Sequence, residues 1–315
     1  MTAGAGRARA ARAVVFAYHD VGARCLRVLR AHGIDVPLVV THADDPAETL
    51  WFERVADVAA DLGLPCIAPD DANAPDVVAR IAALAPDFLF SFYYRRMLGP
   101  ALLALPSRGA LNMHGSLLPR YRGRAPVNWA VLNGERRTGA TLHDMTVKPD
   151  AGAIVGQQAV PILPDDTARD VFDKVTVAAE IVLDAALPGL VAGNAQRTPN
   201  DLAHGSYFGG RKPEDGRIDW ARPARAIHDL VRAVAPPYPG AFTSVGGLPA
   251  RVLATRVLDE ATTWPQAALV AERSRLVARC GGGGTLEVRI LELDGRTADA
   301  ATVVARLGAA PIALR

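Results

Sequence analysis

The stretch AVVFAYHDVGARCLRVLRAHGIDVPLVVT, residues 13–41, decides the fold. It opens with the short apolar run AVVFA (13–17), continues through an amphipathic stretch (23–32) that Gly33 closes, and ends in a second apolar run, VPLVVT (36–41). Short apolar runs bounded by turn residues indicate buried strands, and the amphipathic stretch between them indicates a helix. A strand, a helix and a second strand in this order predict a parallel sheet.

The same alternation continues along the first third of the chain. Amphipathic stretches at 51–62 and 76–84 predict two more helices, and the apolar runs CIAP (66–69) and DFLFSF (87–92) predict two more strands. We therefore predict an α/β fold with a Rossmann-like, doubly wound parallel sheet. Such sheets bind their ligands at the carboxyl ends of the strands.

The turn after the first strand lacks the fingerprint of a dinucleotide site. It reads YHDVGARC (18–25), with a single glycine. A G-x-G-x-x-G turn needs its glycines for the tight turn and for close approach of the backbone to a pyrophosphate. NAD is therefore not predicted as a cofactor.

The sequence changes character in its last third. A long amphipathic helix is predicted over 166–190, and polar, Gly-rich sequence follows it. Beyond that, DLVRAV (229–234) predicts a helix, while VLATRVL (252–258) and TLEVRILEL (285–293) predict strands. The four glycines at 281–284 are expected to form a hairpin turn.

Composition and charge are those of a globular protein without a strong field for polyanions. Hydrophobic residues make up 50% of the chain, charged residues make up 22%, and the formal net charge is +2. The three cysteines, Cys25, Cys66 and Cys280, form no Cys-x-x-Cys pair, which indicates thiols in a reducing compartment. No apolar run is expected to approach the roughly 20 residues needed to span a bilayer. A cytoplasmic location without a membrane partner is therefore predicted.

The densest chemical signal lies in the middle of the chain. The predicted strand GALNMH (109–114) carries Asn112 and His114, which the two-residue period of a strand places on one face. Further along, KPDAGAIV (148–155) holds Asp150 in a turn made by a proline and a glycine. An amide and an imidazole at the carboxyl end of one strand, with a carboxylate nearby, predict a reaction centre.

Five stretches of the sequence resemble the folate-dependent formyltransferase family. They are FAYHD (16–20), FSFYYR (90–95), LNMHGSLLPRYRGRAPVNW (111–129), DAGAIV (150–155) and RAVAPPYPGAF (232–242). The string Asn-x-His-x-Ser-Leu-Leu-Pro with a downstream Asp-x-Gly is highly specific, and the five stretches follow one another over nearly the whole chain. Within the family, the sequence most resembles the domain that formylates UDP-4-amino-4-deoxy-L-arabinose, in the lipid A modification that gives polymyxin resistance.

The resemblance implies two domains, which agrees with a length of 315 residues. We expect a disordered lead-in at 1–12, a formyltransferase catalytic domain at 13–200, a linker at 201–212 and a smaller β-rich domain at 213–315. The last of these is expected to be an OB-like open barrel.

The resemblance also implies that Asn112, His114 and Asp150 are catalytic and that 10-formyltetrahydrofolate is the formyl donor. When an amine attacks the formyl carbon, the carbonyl oxygen becomes negative, and Asn112 and a protonated ring nitrogen of His114 can donate hydrogen bonds to it. His114 can also carry the proton of the amine, because the ordinary pKa of histidine is about 6.5. Asp150 is expected to raise the pKa of His114 and to fix its tautomer. No metal is expected, because one histidine and one carboxylate make a poor zinc site.

By the same resemblance, the folate contacts fall on two loops and one arginine. They are Arg96, Met97 and Leu98 in the first loop, Arg124, and Thr146, Val147, Lys148, Pro149 and Asp150 in the second loop. A pterin needs backbone donors and acceptors along an extended loop, and the glutamate tail of folate needs positive charge such as Arg124 can supply.

Several other side chains keep more than one interpretation. Arg120 and Arg122 fit a solvated basic loop at least as well as a binding site. Tyr93 and Tyr94 fit either the core or the wall of a cleft. The histidines that lack a partner at ligand spacing are interpreted as structural or surface residues: His19, His42 and His143.

The amine acceptor is predicted from charge. A methionyl-tRNA formyltransferase has to hold a polyanion, and it typically carries a basic insertion after the second strand. The equivalent segment here, HADDPAETLWFE (42–53), is acidic, and from Gly205 onward 15 basic residues stand against 11 acidic ones. We therefore expect small-molecule partners, formyl folate and a nucleotide-linked amino sugar, with methionyl-tRNA as the alternative. A non-catalytic folate-binding module is a third reading, which the presence of all three catalytic residues disfavours.

Overall fold

Strand β1 (Arg12–Ala17) has a parallel neighbour on each side, β2 (Asp35–Val40) and β4 (Phe88–Phe92). The computed structural model of the chain describes residues 9–46 and 50–314. Residues 1–8 of the predicted lead-in, residues 47–49 of the acidic segment and the last residue lie outside the described residues.

A mixed sheet extends on both sides of these three strands. Its other members are β3 (Cys66–Ile67), β5 (Gly109–His114), β7 (Arg137–Asp144) and β8 (Ile154–Pro161). The order of the seven strands in this sheet is β3-β2-β1-β4-β5-β7-β8. Strand β5 runs parallel to β4, and β7 runs antiparallel to β5. The direction of the sheet therefore changes beside β5, whose carboxyl end carries the predicted reaction centre.

Helices connect the parallel strands. They are α1 (His19–Ala31), α2 (Val55–Asp61), α3 (Pro75–Ala83) and α4 (Pro100–Leu103). The strands β1 and β4 are buried along their length, and Phe16, Phe88, Phe90 and Phe92 are fully buried. Burying each such ring contributes about 1.5–3 kcal/mol. Runs that are apolar without alternation are typical of parallel strands covered on both faces, which explains why the sequence predicted them.

Two compact units divide the described chain. Unit 1 comprises the residues up to Gly123 together with Gly139–Val160 and Lys174–Tyr207. Unit 2 comprises Arg124–Thr138, Pro161–Asp173 and the residues from Phe208 onward. The predicted domain limits at 200 and 213 remain a prediction.

Two short strands and two helices lie in the middle of the chain. They are β6 (Arg122–Gly123), α5 (Pro126–Leu132), α6 (Ala168–Ala192) and β9 (Tyr207–Phe208). Two 3-10 turns, at Leu202–His204 and Pro213–Gly216, flank β9. The segment predicted as a linker, 201–212, thus holds a turn and a strand.

Unit 2 is built around an antiparallel sheet. Its elements are α7 (Ala224–Val234), β10 (Ala241–Val245), β11 (Leu248–Asp259), β12 (Ala268–Glu272), β13 (Arg275–Arg279), β14 (Thr285–Leu293), β15 (Arg296–Thr297), α8 (Ala300–Leu307) and β16 (Ile312–Ala313). The strand order is β10-β11-β14-β13-β12-β16, with β15 paired to β14. The sheet forms a half-barrel, and α7 packs Ile227, Leu230 and Val231 into its core. The predicted fold class, a Rossmann-like sheet plus a smaller β-rich domain, is confirmed.

Element limits differ from the sequence prediction at three places. Strand β1 begins at Arg12, one residue earlier than the predicted strand, and the backbone N of Arg12 donates to Asp87 Oδ2 at 2.7 Å. Helix α1 begins at His19, four residues earlier than predicted. Helix α2 begins at Val55 instead of residue 51, because the rings of Trp51 and Phe52 pack on His19.

The hairpin at the four glycines is confirmed. Strands β13 and β14 pair antiparallel, with Arg279 opposite Thr285. Gly283 and Gly284 have φ of +98° and +82°, which side chains other than glycine rarely adopt.

Helix α6 is the one helix of the described part that is long and apolar enough to cross a membrane, by length and composition alone. Its most apolar window has a mean hydropathy of 1.8, which corrects the expectation that no segment would qualify. A core helix of a soluble protein passes the same test. Glu180 and Asp184 of α6 pair with Arg24 and His32, at 2.5 and 2.7 Å, so charged contacts hold the part of this helix that belongs to unit 1.

Candidate active site

The pairing of β5 with β7 assembles the first half of the site. In this antiparallel ladder Asn112 lies directly opposite His143, and His114 lies opposite Thr141. The sheet thereby places two histidines and an amide on neighbouring strands at its carboxyl edge. Asn112 and His114 were predicted from the sequence, whereas His143 was interpreted as structural or surface.

The loop after β7 supplies the carboxylate. Asp150 lies in this loop with φ of +49°, in the left-handed region that few residues other than glycine occupy. Two residues later, a Cβ on Gly152 would lie 1.8 Å from the carbonyl oxygen of Asp144, so only glycine fits there. The backbone N of Asp144 donates to the carbonyl of Ala153 at 2.9 Å and closes the loop. The tight loop turns the Asp150 side chain back towards β5.

His114 and Asp150 face each other inside unit 1. Nδ1 of His114 lies 3.4 Å from Oδ1 of Asp150, and the two side chains are only 7% and 12% exposed. Nε2 of His114 lies 2.8 Å from the carbonyl oxygen of Tyr121. A carbonyl only accepts hydrogen bonds, so Nε2 carries the hydrogen and Nδ1 of the neutral ring has a free lone pair. Nδ1 is thus the atom that can accept a proton.

His143 orients the amide of Asn112. Nδ1 of His143 lies 2.9 Å from the carbonyl oxygen of Asp144, which requires a hydrogen on Nδ1. Nδ2 of Asn112 pairs with Nε2 of His143 at 3.1 Å. The same Nε2 lies 3.6 Å from Oδ1 of Asp150. The side-chain amide therefore has its NH₂ group fixed on the side of His143, with its second hydrogen available to a ligand.

The protonation states follow from burial and mutual attraction. Burial lowers the pKa of His114, and it outweighs the Asp150 carboxylate and the Tyr121 carbonyl, which both act to raise that pKa. Asp150 thus acts in the expected direction, but the net pKa of His114 lies below its ordinary value because the cost of burying an imidazolium is larger than the attraction. Burial acts to raise the pKa of Asp150, but His114, His143 and the N–H of Gly123 lower it to about 2.

These two shifts are compatible. The attraction between the two charged groups acts to lower the pKa of Asp150 and to raise the pKa of His114, but burial outweighs it at His114. Near neutral pH the site holds a neutral imidazole beside a carboxylate. Gly123 N donates to Oδ2 of Asp150 at 2.8 Å, which fixes the far oxygen of that carboxylate.

The two loops predicted to contact folate lie in unit 1. In the first loop, Arg96 and Met97 are exposed and Leu98 is buried, and Asn73 braces the turn by bonding the Met97 carbonyl and the Gly99 N–H at 3.0 and 2.6 Å. In the second loop, residues 146–148 are exposed. Met145, at the start of this loop, packs against the apolar cluster that contains Leu98, so both loops rest on one part of the core.

The remaining predicted residues fall outside this group. Arg124 belongs to unit 2, where it is exposed and its backbone N donates to the Phe208 carbonyl at 3.0 Å. Tyr94 belongs to the core and stacks on His42 with the ring centres 4.0 Å apart. His42 also accepts from the backbone N of Arg95 at 3.0 Å, which fits its structural interpretation.

Unit 2 contains a cleft of about 210 Å³ with a cationic wall. Arg211, Arg217 and Arg222 line it together with two aspartates, above a floor of apolar side chains. The guanidinium of Arg211 lies over the ring of Trp129, 5.1 Å from its centre, and burial lowers the pKa of this arginine. Guanidinium groups in such a cleft suit phosphate or carboxylate oxygens.

Two protein-family models match this chain, one over its first part and one over its last part. Residues 11–187 match the model of the formyl transferase family, and residues 211–307 match the model of the formyl transferase C-terminal domain. The chain belongs to the formyl transferase family. It is therefore an enzyme of formyl transfer, and the half-barrel of unit 2 is the C-terminal domain typical of that family.

Solved structures of sugar N-formyltransferases share the fold of this formyltransferase. An N-formyltransferase from Helicobacter canadensis, solved with folinic acid and dTDP-3-aminofucose, is 16% identical with a TM-score of 0.68, over 89% of this chain and 99% of its own. The sugar 3N-formyl transferase WlaRD, solved with dTDP and 5-N-formyl-THF, is 17% identical with a TM-score of 0.67, over 89% and 97%. A sugar N-formyltransferase from Shewanella sp FDAARGOS_354 is 21% identical with a TM-score of 0.59, over 74% and 92%.

Proposed function

We propose that the enzyme transfers the formyl group of 10-formyltetrahydrofolate to the amine of a nucleotide-linked amino sugar, with Asn112, His114 and Asp150 as its catalytic residues. The observation that carries this proposal is the buried His114, whose Nδ1 has a free lone pair 3.4 Å from Asp150. The amide of Asn112 is fixed on the same sheet edge. A base, a group that stabilises the base when charged, and a donor for an oxyanion are the parts that acyl transfer to an amine needs.

The reaction follows from these parts. The amine nitrogen attacks the formyl carbon, and the carbonyl oxygen becomes an alkoxide that accepts a hydrogen bond from Asn112 Nδ2. The amine passes its proton to Nδ1 of His114, and Asp150 stabilises the resulting imidazolium. The bond between the formyl carbon and N10 then breaks, and the proton moves from Nδ1 to N10. The products are the formamide and tetrahydrofolate.

The folate donor is supported by the loops and by the similar structures. Residues 96–98 and 146–150 offer backbone groups on two loops of unit 1, and Arg124 offers a cation for the glutamate tail. The Helicobacter canadensis and WlaRD structures were solved with folinic acid and 5-N-formyl-THF. We propose that these positions bind formyl folate, without a metal, in the cytoplasm.

The acceptor that we propose is UDP-4-amino-4-deoxy-L-arabinose, in lipid A modification and polymyxin resistance. The sequence motifs resemble those of the formyltransferase domain of the bifunctional polymyxin-resistance protein ArnA, which uses this sugar. Two of the similar structures contain dTDP or a dTDP-linked amino sugar, which supports a nucleotide-linked acceptor.

The test is an assay of formyl transfer from 10-formyltetrahydrofolate to two acceptors in parallel. We expect formylated product with UDP-4-amino-4-deoxy-L-arabinose and none with methionyl-tRNA. Product with a dTDP-linked amino sugar alone would keep the class of acceptor and correct the sugar. Product with methionyl-tRNA alone would overturn the acceptor, and folate binding without turnover on any amine would favour a non-catalytic binding module.

A further inference from the structure

We propose that Asn200 and Ser206 are positioning residues of the formyl-transfer site. The segment 198–207, here called the clamp segment, fixes the distance between His114 and Asp150. The proposal rests on the proposed function, because positioning is defined by that reaction. On sequence alone, most of this segment reads as a linker. Its hydrogen bonds within unit 1 reach the backbone of Asp150 and the backbone of Tyr121, whose carbonyl accepts from His114.

The first contact holds the loop of Asp150. Nδ2 of Asn200 donates to the carbonyl oxygen of Asp150 at 3.0 Å. Asp150 has a positive φ, so its backbone conformation is unfavourable unless neighbouring groups hold it. The clamp segment is itself anchored beside this loop, because Thr198 and Ile154 exchange two backbone hydrogen bonds of 2.8 Å. Asn200 is therefore a fixed donor that holds the peptide of Asp150.

The amide of Asn200 is buried at some cost. Its Oδ1 is buried and has no hydrogen-bond partner among the described residues. A buried acceptor without a partner costs free energy, so its presence calls for an explanation. A leucine of similar size would avoid this cost. The hydrogen bond from Nδ2 to the Asp150 carbonyl therefore explains why an asparagine stands at this position.

The second contact holds the partner of His114. Oγ of Ser206 accepts from the backbone N of Tyr121 at 2.8 Å. Tyr121 also has a positive φ, of +58°, and its carbonyl is the group that accepts from Nε2 of His114. The backbone of Ser206 adds bonds to Pro119 O and from Arg122 N, of 3.2 and 3.0 Å. Ser206 thus fixes the carbonyl that sets the tautomer of His114.

Both strained residues of the site are therefore held by one short segment. Asp150 and Tyr121 lie on different loops, and each reaches His114 from a different side. The clamp segment bonds the backbone of both, so the distance between Nδ1 of His114 and Asp150 depends on it. Loss of either contact lets one loop relax away from the imidazole.

A pH profile separates this role from general stabilisation. The titratable groups that face His114 are Asp150, from the loop after β7, and His143, from β7. Asp150 and the Tyr121 carbonyl both act to raise the pKa of His114. If either moves away, the pKa of His114 falls further. His114 must be neutral to accept a proton. The acid limb of kcat/KM therefore moves to lower pH in a variant that loses either contact of the clamp segment.

The experiment compares Asn200→Leu and Ser206→Ala with wild type. We expect kcat to fall about tenfold in each, with KM for 10-formyltetrahydrofolate changed by less than about twofold. Ser206→Thr retains the hydroxyl and is expected to restore most of kcat. Asn194→Leu and Ser244→Ala alter exposed residues and serve as matched controls with wild-type kcat.

A second readout does not depend on turnover. The ¹⁵N chemical shifts of the His114 imidazole report its tautomer and its pKa in the free enzyme, and thermal unfolding confirms that each variant is folded. A wild-type enzyme that formylates no amine overturns the proposed function, while the His114 titration in the variants still tests the clamp. Unchanged titration and an unmoved acid limb in folded Asn200→Leu and Ser206→Ala would overturn the clamp. A shifted His114 titration in both, but not in the controls, supports it.

Discussion

Two histidines, one in each unit, are similarly buried but differ in how their ring nitrogens are hydrogen-bonded. His228 in unit 2 has both ring nitrogens in hydrogen bonds of 2.9 Å, Nδ1 with Thr255 Oγ1 and Nε2 with the Pro164 carbonyl. His114 in unit 1 has a hydrogen bond at Nε2 only, and its Nδ1 faces Asp150 at 3.4 Å. Burial is the largest influence on both, and it lowers the pKa of each. The direction of the pKa shift therefore does not distinguish them.

The hydrogen bonds and the backbone do distinguish them. One turn along α7 from His228, Arg232 donates to Asp229 at 2.8 Å and to the Asp166 carbonyl at 3.0 Å, so the polar groups of this cluster are paired. The loops around His114 instead place Tyr121 and Asp150 at positive φ and leave Nδ1 with a free lone pair. Fully paired buried polar groups stabilise a fold, whereas strain and an unused lone pair are typical of a site that reacts.

The largest effect is expected for His114→Ala. Without the imidazole the amine has no acceptor for its proton, so kcat should fall by about 10³-fold. The dissociation constant of folate should change little, because the loops 96–98 and 146–150 are untouched. Steady-state kinetics and a folate titration measure the two quantities. A variant with near-normal kcat would show that His114 resembles His228 in role and would remove the proton-transfer assignment.

A smaller effect is expected for Asp150→Asn. The amide keeps the shape of the side chain but no longer stabilises an imidazolium, so kcat should fall by about 10²-fold. Asp150 acts to raise the pKa of His114, so its removal lowers that pKa, and the acid limb of kcat/KM should move to lower pH. The measurement is a full pH–rate profile with Asp61→Asn, which changes an exposed residue at the end of α2, as control. An acid limb that moves to higher pH would contradict this account.

The sequence predicted the parts of this site that are local. The apolar runs were long enough to predict the central strands, and the two-residue period of β5 placed Asn112 and His114 on one face. Asp150 was predicted from the place of its Asp-x-Gly string in the family pattern, because by itself it is an ordinary turn residue. In each case the information lies within a few residues of the feature.

The missed residues depend on contacts between distant segments. His143 is opposite Asn112 only because β7 runs antiparallel to β5, and nothing near residue 143 indicates that register. Asn200 and Ser206 lie in polar sequence that composition marks as a linker. The start of α1 was misplaced because His19 has φ of +66°, which residue type does not predict. The lowered pKa of His114 was missed because its degree of burial, which outweighs the effect of Asp150, is also a property of the fold.

The smallest effect on activity is expected for His228→Leu, which tests the other half of the comparison. This change leaves Thr255 Oγ1 and the Pro164 carbonyl without their partner, and a buried polar group without a partner costs about 1–3 kcal/mol. The free energy of unfolding in urea should fall by that amount, while kcat of the folded enzyme stays within about twofold, a change below 1 kcal/mol. His204→Leu is the control, because its side chain is 84% exposed and its one pair, with Asp201, lies at the surface, so its loss should change stability much less than the loss of His228. If kcat fell with stability preserved, complete pairing of the ring nitrogens would no longer separate a structural histidine from a reactive one.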